Sequence, residues 1–159
     1  MVKERKKSEW NDYVSELKSH IPPMYTKKTA LHPKFVCEKV NQIAGDDTII
    51  TTEVGQHQMW AAQFYPFSKP RTFLTSGGLG TMGYGTGAAI GAQLANPHKR
   101  VVHIAGDGSF RMNLTELSTI GYYNIPVIVV IFNNGTLGMV RQWQTLFFGH
   151  RYSQTTLDR

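Results

Sequence analysis

Three features of the sequence predict an α/β fold, a parallel sheet with helices on both faces. From residue 46 onward, short β-rich apolar runs alternate with stretches of helical spacing. One run, Val127–Phe132 (VIVVIF), has no polar alternation, as expected of a strand buried on both faces. Each run ends in a turn rich in glycine or asparagine, the usual opening of a crossover connection.

Taken in order, Trp10, Tyr13, Val14, Leu17 and Ile21 recur at helical spacing, so 9–20 reads as a short amphipathic helix. Pro22-Pro23 stops it, and 22–32 reads as an extended connection. A second helix starts at His32-Pro33, presents Phe35, Val36, Val40 and Ile43 on one face, and ends at Gly45. Residues 48–54, 71–76, 100–105 and 126–132 read as strands, and 57–65, 82–95 and 114–123 as the helices between and beside them. The expected organisation is an N-terminal extension over 1–32 and one domain over 33–159.

With 159 residues, 41% hydrophobic and 18% charged, the chain has material for one core and too little charge for a disordered tail or a helical rod. The net charge of +6 invites a nucleic-acid reading, but residues 1–39 hold nine Lys/Arg against five Asp/Glu. The basic excess therefore sits mainly at the N-terminal end, with no basic stripe in the body, which argues against nucleic acid. The longest apolar run falls far short of the ~20 residues of a membrane span, so no membrane partner is expected. The basic start MVKERKKSEW lacks a following apolar segment and so is not a signal peptide; a cytoplasmic location is expected. The single cysteine, Cys37, cannot form an internal disulfide and is expected to be inert on its helix.

Ligands of open α/β sheets bind outside the carboxyl ends of the strands, where four turns gather here. They are Glu53-Val-Gly-Gln-His57, Ser76-Gly-Gly-Leu-Gly80, Ala105-Gly-Asp-Gly-Ser109 and Asn133-Asn134-Gly135. Two readings compete for Asp107. Gly78-Leu-Gly-Thr-Met-Gly83 fits the G-x-G-x-x-G dinucleotide fingerprint, with Asp107 as the acid 24 positions on, which would make an NAD-binding oxidoreductase domain. Alternatively, Asp107 and Asn134 converge on one hard cation. Mg²⁺ takes few oxygen ligands from protein and several from phosphate and water, and a carbonyl just past Asn134 could supply a third protein oxygen. Gly108 and Ser109 open a helix whose N–H groups, with the Ser109 hydroxyl, suit a phosphate. A non-catalytic interaction module is a third reading.

The second pattern, GDGS followed by NN, resembles the metal–diphosphate motif of thiamin-diphosphate enzymes. VGQHQMWAAQFYPF, LTSGGLGTMGYGTGAAIGA, GDGSFRMNLTELSTI and NNGTLGMVRQWQ are closer still to the catalytic subunits of the acetolactate synthase (acetohydroxyacid synthase) family, from about residue 33 to 159. The resemblance implies a Rossmann-like three-layer domain holding thiamin diphosphate through Mg²⁺. Asp107, Asn134 and the carbonyl of Thr136 match the metal ligands. Gln56, His57, Gly108, Ser109, Leu137 and Gly138 match diphosphate contacts. Gly80 and Met82 match contacts to the aminopyrimidine, with the Met82 side chain as the apolar prop that bends the cofactor. Met139 and Trp143 match residues beside the reacting centre and the substrate channel. Glu53 stands where the family carries an acid, though not the one that activates the cofactor.

The activity so implied is decarboxylation of pyruvate and condensation with a second 2-oxo acid, pyruvate or 2-oxobutyrate, toward branched-chain amino acids. The family's large subunits form homodimers or tetramers, bind FAD in a middle domain and associate with a small regulatory subunit. Its activating glutamate lies in a separate N-terminal domain of the partner subunit, and nothing in this chain matches that domain or the FAD domain. The chain is therefore expected to be a domain truncated at both ends, its sheet incomplete at the C-terminus, with no catalytic residue of its own and no activity in isolation. One departure stands inside the match: Tyr84-Gly-Thr-Gly87, where the family more often has Phe-Gly-Leu-Pro.

Overall fold

The computed structural model describes residues 8–20 and 31–157. The chain divides into two units, Met1–His32 and Pro33–Arg159. In the first, helix α1 spans Glu9–Ser19. Asp12 and Glu9 lie in its first turn and Lys18 in its last, the charge order that a helix dipole favours. The Trp10 and Tyr13 rings lie 5.8 Å apart along its apolar stripe. Pro22, Pro23 and the connection through residue 30 lie outside the described residues.

The second unit runs α2 (Pro33–Ala44), β1 (Ile49–Thr52), α3 (Gln56–Phe64), β2 (Phe73–Leu74), α4 (Tyr84–Ala95), β3 (Val101–Gly106), α5 (Asp107–Phe110), a 3-10 turn (Arg111–Glu116), α6 (Leu117–Tyr122), β4 (Val127–Phe132) and α7 (Gly138–Phe147). Pro33 opens α2, where its missing N–H would be unpaired anyway. The helix stops at Gly45, and Arg100 Nη1 closes its end by donating to the carbonyls of Ile43 and Ala44 at 2.9 and 3.0 Å. Cys37 is fully buried, and burial pushes its thiol up to about 11, so it stays protonated and unreactive as expected.

The four described strands are all parallel, in the order β2-β1-β3-β4. One core, Ile50, Val102, Ile104, Ala61 and Tyr65, packs with Val40 and Ala44 on the α2/α3 face of the sheet. A second, Ile49, Val101, Ala89 and Ala92, lies on the α4 face. The three-layer expectation holds, and the order places a topological switch point between β1 and β3, where connections leave in opposite directions.

Three expectations need correction. Val127–Phe132 is not buried on both faces: Ile128 and Ile131 are 47% and 42% exposed. Among the described strands β4 pairs with β3 alone and forms the sheet's edge. The helix read over 114–123 is split between the end of the 3-10 turn and α6, with α5 a separate short helix before them. Asn113 leaves the helical region (φ −126°, ψ 33°), and its Nδ2 donates to the Gly83 carbonyl at 2.7 Å, a tertiary bond that competes with the helix ladder. Third, α7 has no counterpart among the elements expected from the sequence, although Met139, Val140, Trp143, Leu146 and Phe147 have helical spacing.

Candidate functional site

A cavity of about 230 Å³ opens at the carboxyl edge of the sheet, over the β1/β3 switch point. Its lining comes largely from the first turns of three helices: Gln56 and His57 of α3, Asp107 to Ser109 of α5, and Gly138 to Val140 of α7. A first turn exposes N–H groups with no intrahelical acceptor. None of these three helices has a side-chain cap bond. Three sets of backbone donors, each at the positive end of its helix, thus face one cavity.

The fourth helix start at this edge is different. Glu53, at the end of β1, is fully buried. Its Oε2 accepts from Gly83 N–H and Ser109 Oγ–H, both at 2.7 Å. Its Oε1 accepts from Thr86 N–H at 3.1 Å. Gly83 and Thr86 are the cap and first-turn positions of α4, so an internal carboxylate already occupies that helix's anion site. This corrects the fingerprint reading of Gly78–Gly83. The motif is a loop that ends before α4 begins, and a pyrophosphate would have to displace Glu53. Strand β1 also lies between β2, which leads into that loop, and β3, which carries Asp107. The acid therefore does not stand on the neighbouring strand, as a ribose contact requires.

Asp107 is 8% exposed, and its Oδ2 accepts from Gly135 N–H at 3.0 Å. No hydrogen bond to its other oxygen occurs among the described residues. The Asn133–Gly138 loop is held from both sides. Asn134 Oδ1 accepts from Thr136 N–H at 3.1 Å, and Gly135 takes φ +66°, which a side chain would strain. Thr136 bridges antiparallel to Thr156, with Leu137 N–H donating to Thr155 and Leu157 N–H to Gly135, both at 2.8 Å. In that pairing the Thr136 carbonyl accepts nothing. Among the described residues no cluster of three or more His, Cys, Asp and Glu could hold a metal. A cation here would have one charged protein ligand, which fits Mg²⁺ completed by phosphate and water and does not fit zinc.

His57 is 5% exposed, and among the described residues its Nε2 has no hydrogen-bond partner. Its ring lies on Gly106, where an added Cβ would stand 2.6 Å from Nδ1. Its pKa is lowered to about 4, chiefly by burial, against a backbone hydrogen bond to Glu53 that raises it and with a smaller lowering from the charge of His103. The ring is neutral at pH 7, and its orphaned nitrogen fits a site that a polar ligand completes.

Of the thirteen residues that the sequence singled out, the structure brings twelve to this cavity: Gln56, His57, Gly80, Met82, Asp107, Gly108, Ser109, Asn134, Thr136, Leu137, Gly138 and Met139. Trp143 does not line it; that side chain sits one turn further along α7, half exposed, against Phe147. Two engagements differ from expectation. The Ser109 hydroxyl donates inward to Glu53, leaving its backbone for the cavity. The Gln56 side chain reaches α7, donating to Gln142 Oε1 at 2.8 Å. Sequence reasoning missed Gly106, Trp60, Phe132 and Val140 as lining residues. Gly106 was legible as the first glycine of GDGS, but its reason, the close approach of His57, is tertiary.

Residues 53–159 match the family described as thiamine pyrophosphate enzyme, C-terminal TPP binding domain. The chain is 52% identical over 152 residues to the acetolactate synthase large subunit of Corynebacterium glutamicum, covering 94% of this chain and 24% of that protein. It is 51% identical over 160 residues to the mitochondrial acetolactate synthase catalytic subunit of Saccharomyces cerevisiae, covering 97% and 23%. To the probable acetolactate synthase large subunit of Methanocaldococcus jannaschii it is 49% identical over 158 residues, covering 95% and 27%. The chain thus spans about a quarter of the length of the curated relatives it matches. Three uncapped helix starts around one cavity, an Asp and an Asn loop at its rim, and a matched stretch that contains all of them lead to one assignment: this chain belongs to the thiamine pyrophosphate enzymes, in their C-terminal TPP-binding domain family.

Proposed function

We propose that the cavity is the diphosphate half of a thiamin diphosphate site. The observation that carries this reading is the convergence of the α3, α5 and α7 first turns on Asp107 and the Asn134 loop. Uncapped N–H groups bind the diphosphate oxygens, from Gln56, His57, Gly108, Ser109 and Gly138; Leu137, whose own N–H is held by the Thr155 carbonyl, contacts the group with its side chain. Asp107, Asn134 and the Thr136 carbonyl hold a Mg²⁺ that offsets charge between the aspartate and the diphosphate. Gly80 and Met82, on the loop beyond β2, face the pyrimidine. Met139 lies toward the reacting centre, and Trp143 further out along α7 lines the approach of substrate. When bound, the cofactor supplies the carbanion stabilisation that decarboxylation of a 2-oxo acid needs. This chain's residues bind it, orient it and shield it with Trp60, Phe132 and Leu137.

In the whole protein the domain serves acetolactate synthase: decarboxylation of pyruvate and its condensation with pyruvate or 2-oxobutyrate. The half-identical relatives support this reading, and two of the three are named as large subunits. Homodimers or tetramers, a small regulatory subunit and FAD belong to the same proposal, as do the division at residue 32 and a cytoplasmic setting. Among the described residues no helix is long and apolar enough to cross a membrane. Among the described residues Asp107 is the one carboxylate lining the cavity, and the metal engages it. Among the described residues no further acid lines the cavity to face the pyrimidine nitrogen, and the chain alone is expected to show no synthase activity.

The test is thermal unfolding of the chain with thiamin diphosphate, with and without Mg²⁺, and with NAD as control. A ligand at 100 times its dissociation constant adds about 2.7 kcal/mol to the folded state. Stabilisation that needs thiamin diphosphate and Mg²⁺ together, with no pyruvate turnover by the same sample, is the expected result. Stabilisation by NAD without metal, or by neither, would refute the reading.

A further inference from the structure

The buried Glu53 carboxylate does not line the cavity, yet it touches two of its walls. Oε2 accepts from Gly83 N–H, at the end of the loop that carries Gly80 and Met82. The same oxygen accepts from the hydroxyl of Ser109, in the first turn of α5 beside Asp107. Oε1 accepts from the N–H of Thr86, three residues on in the first turn of α4. Behind it stands His103 Nε2, 3.7 Å from Oε1, with His103 Nδ1 2.9 Å from Thr51 Oγ1. A carboxylate buried this deeply is costly unless its lone pairs are filled, and here the partners come from two separate elements. A neutral residue could cap α4 alone; a two-oxygen acceptor is needed to join α4's start to α5's.

We propose that Glu53 is a positioning residue that ties the pyrimidine-facing loop to the diphosphate-facing turn, setting the spacing between the two halves of the cofactor site. The inference rests on the thiamin diphosphate reading above. In Glu53→Gln, one carboxyl oxygen becomes an NH₂ donor. Placed at Oε2 it opposes Gly83 N–H; placed at Oε1 it opposes Thr86 N–H. In either placement α4 loses one of its two bonds; where the NH₂ takes the Oε2 place Ser109 can rotate to accept from it, and otherwise Ser109 keeps its present acceptor, so the link to α5 survives.

The experiment measures, by calorimetry on the full 159-residue chain with Mg²⁺, the affinity for thiamin diphosphate and for inorganic diphosphate. Glu53→Gln is expected to weaken thiamin diphosphate about tenfold while inorganic diphosphate stays within about twofold, because one ligand spans both halves and the other does not. Ser109→Ala cuts the tie on the α5 side, keeps both α4 bonds, and is expected to act in the same direction by a smaller factor. Equal losses for both ligands, or no loss in a variant with native circular dichroism, would overturn the inference and leave Glu53 a structural cap. If the unsubstituted chain binds neither ligand, the site reading falls and the inference with it; if it binds both, only the inference is at stake.

Discussion

Two buried carboxylates stand at the ends of neighbouring strands and have opposite uses. Glu53 has both oxygens filled by the protein, whereas Asp107 has one filled by Gly135 N–H and the other left for a ligand. An aspartate half-satisfied at the rim of a cavity is what a metal site retains. Asp107→Ala is therefore expected to abolish Mg²⁺-dependent thiamin diphosphate binding by calorimetry. Loss of the bond to Gly135 should cost the fold only about 1 kcal/mol, since the Thr136–Thr156 bridge still holds the loop. Undiminished cofactor affinity in the variant would remove Asp107 from the ligand set.

At the scale of elements, the site depends on how closely α4 lies on β1. A Cβ placed on Gly85 would collide with the His103 ring and stand 2.6 Å from the Thr52 carbonyl oxygen, which is backbone and cannot swing away. On Gly108 the same methyl would meet Leu137 Cδ2 at 2.6 Å and Leu157 Cδ1 at 3.1 Å, the far ends of flexible side chains. Gly85→Ala is accordingly expected to destabilise the domain by about 1–3 kcal/mol in urea unfolding, and Gly108→Ala by less. The reverse order would mean that α4 is free to shift on the sheet. The same closeness puts Gly83 N–H within reach of Glu53, so packing and cofactor-site geometry share one glycine-rich approach.

For the molecule as a whole, burial of neutral histidines makes stability fall with acid. His57 titrates at about 4 in the folded chain against 6.5 for the free group. Between those values the unfolded chain binds the extra proton, so stability is fully present above pH 6.5 and declines as pH falls toward 4. The loss due to His57 amounts to about 3 kcal/mol by pH 4. Burial shifts His103 in the same direction, with the Glu53 carboxylate opposing it. Urea midpoints from pH 7 to 4 should fall for the natural chain and fall less for His57→Gln. Identical slopes would show that His57 is protonated in the folded state or exposed.

Much of this was legible in the residues themselves. Periodicity separated strands from helices because side chains alternate along a strand and recur every turn of a helix, and GDGS with NN marked the site because its chemistry is held in two short turns. The order of the strands was not legible. Parallel crossovers of similar length can lead to either neighbour, and only packing placed β1 between β2 and β3, which separates the fingerprint loop from Asp107. Nor was the edge position of β4, since a continuous apolar run does not say how many neighbours its strand has. The role of Glu53 is the clearest case. As a lone acid at a strand end it carries no local sign of its partners, and Gly83, Thr86 and Ser109 lie 30 to 56 positions away in the chain. Local pattern determined which elements form and which residues carry the chemistry. Long-range packing decided which helix starts stay open to a ligand and which one the protein closes with its own carboxylate, because a buried charge must find its donors wherever the fold brings them.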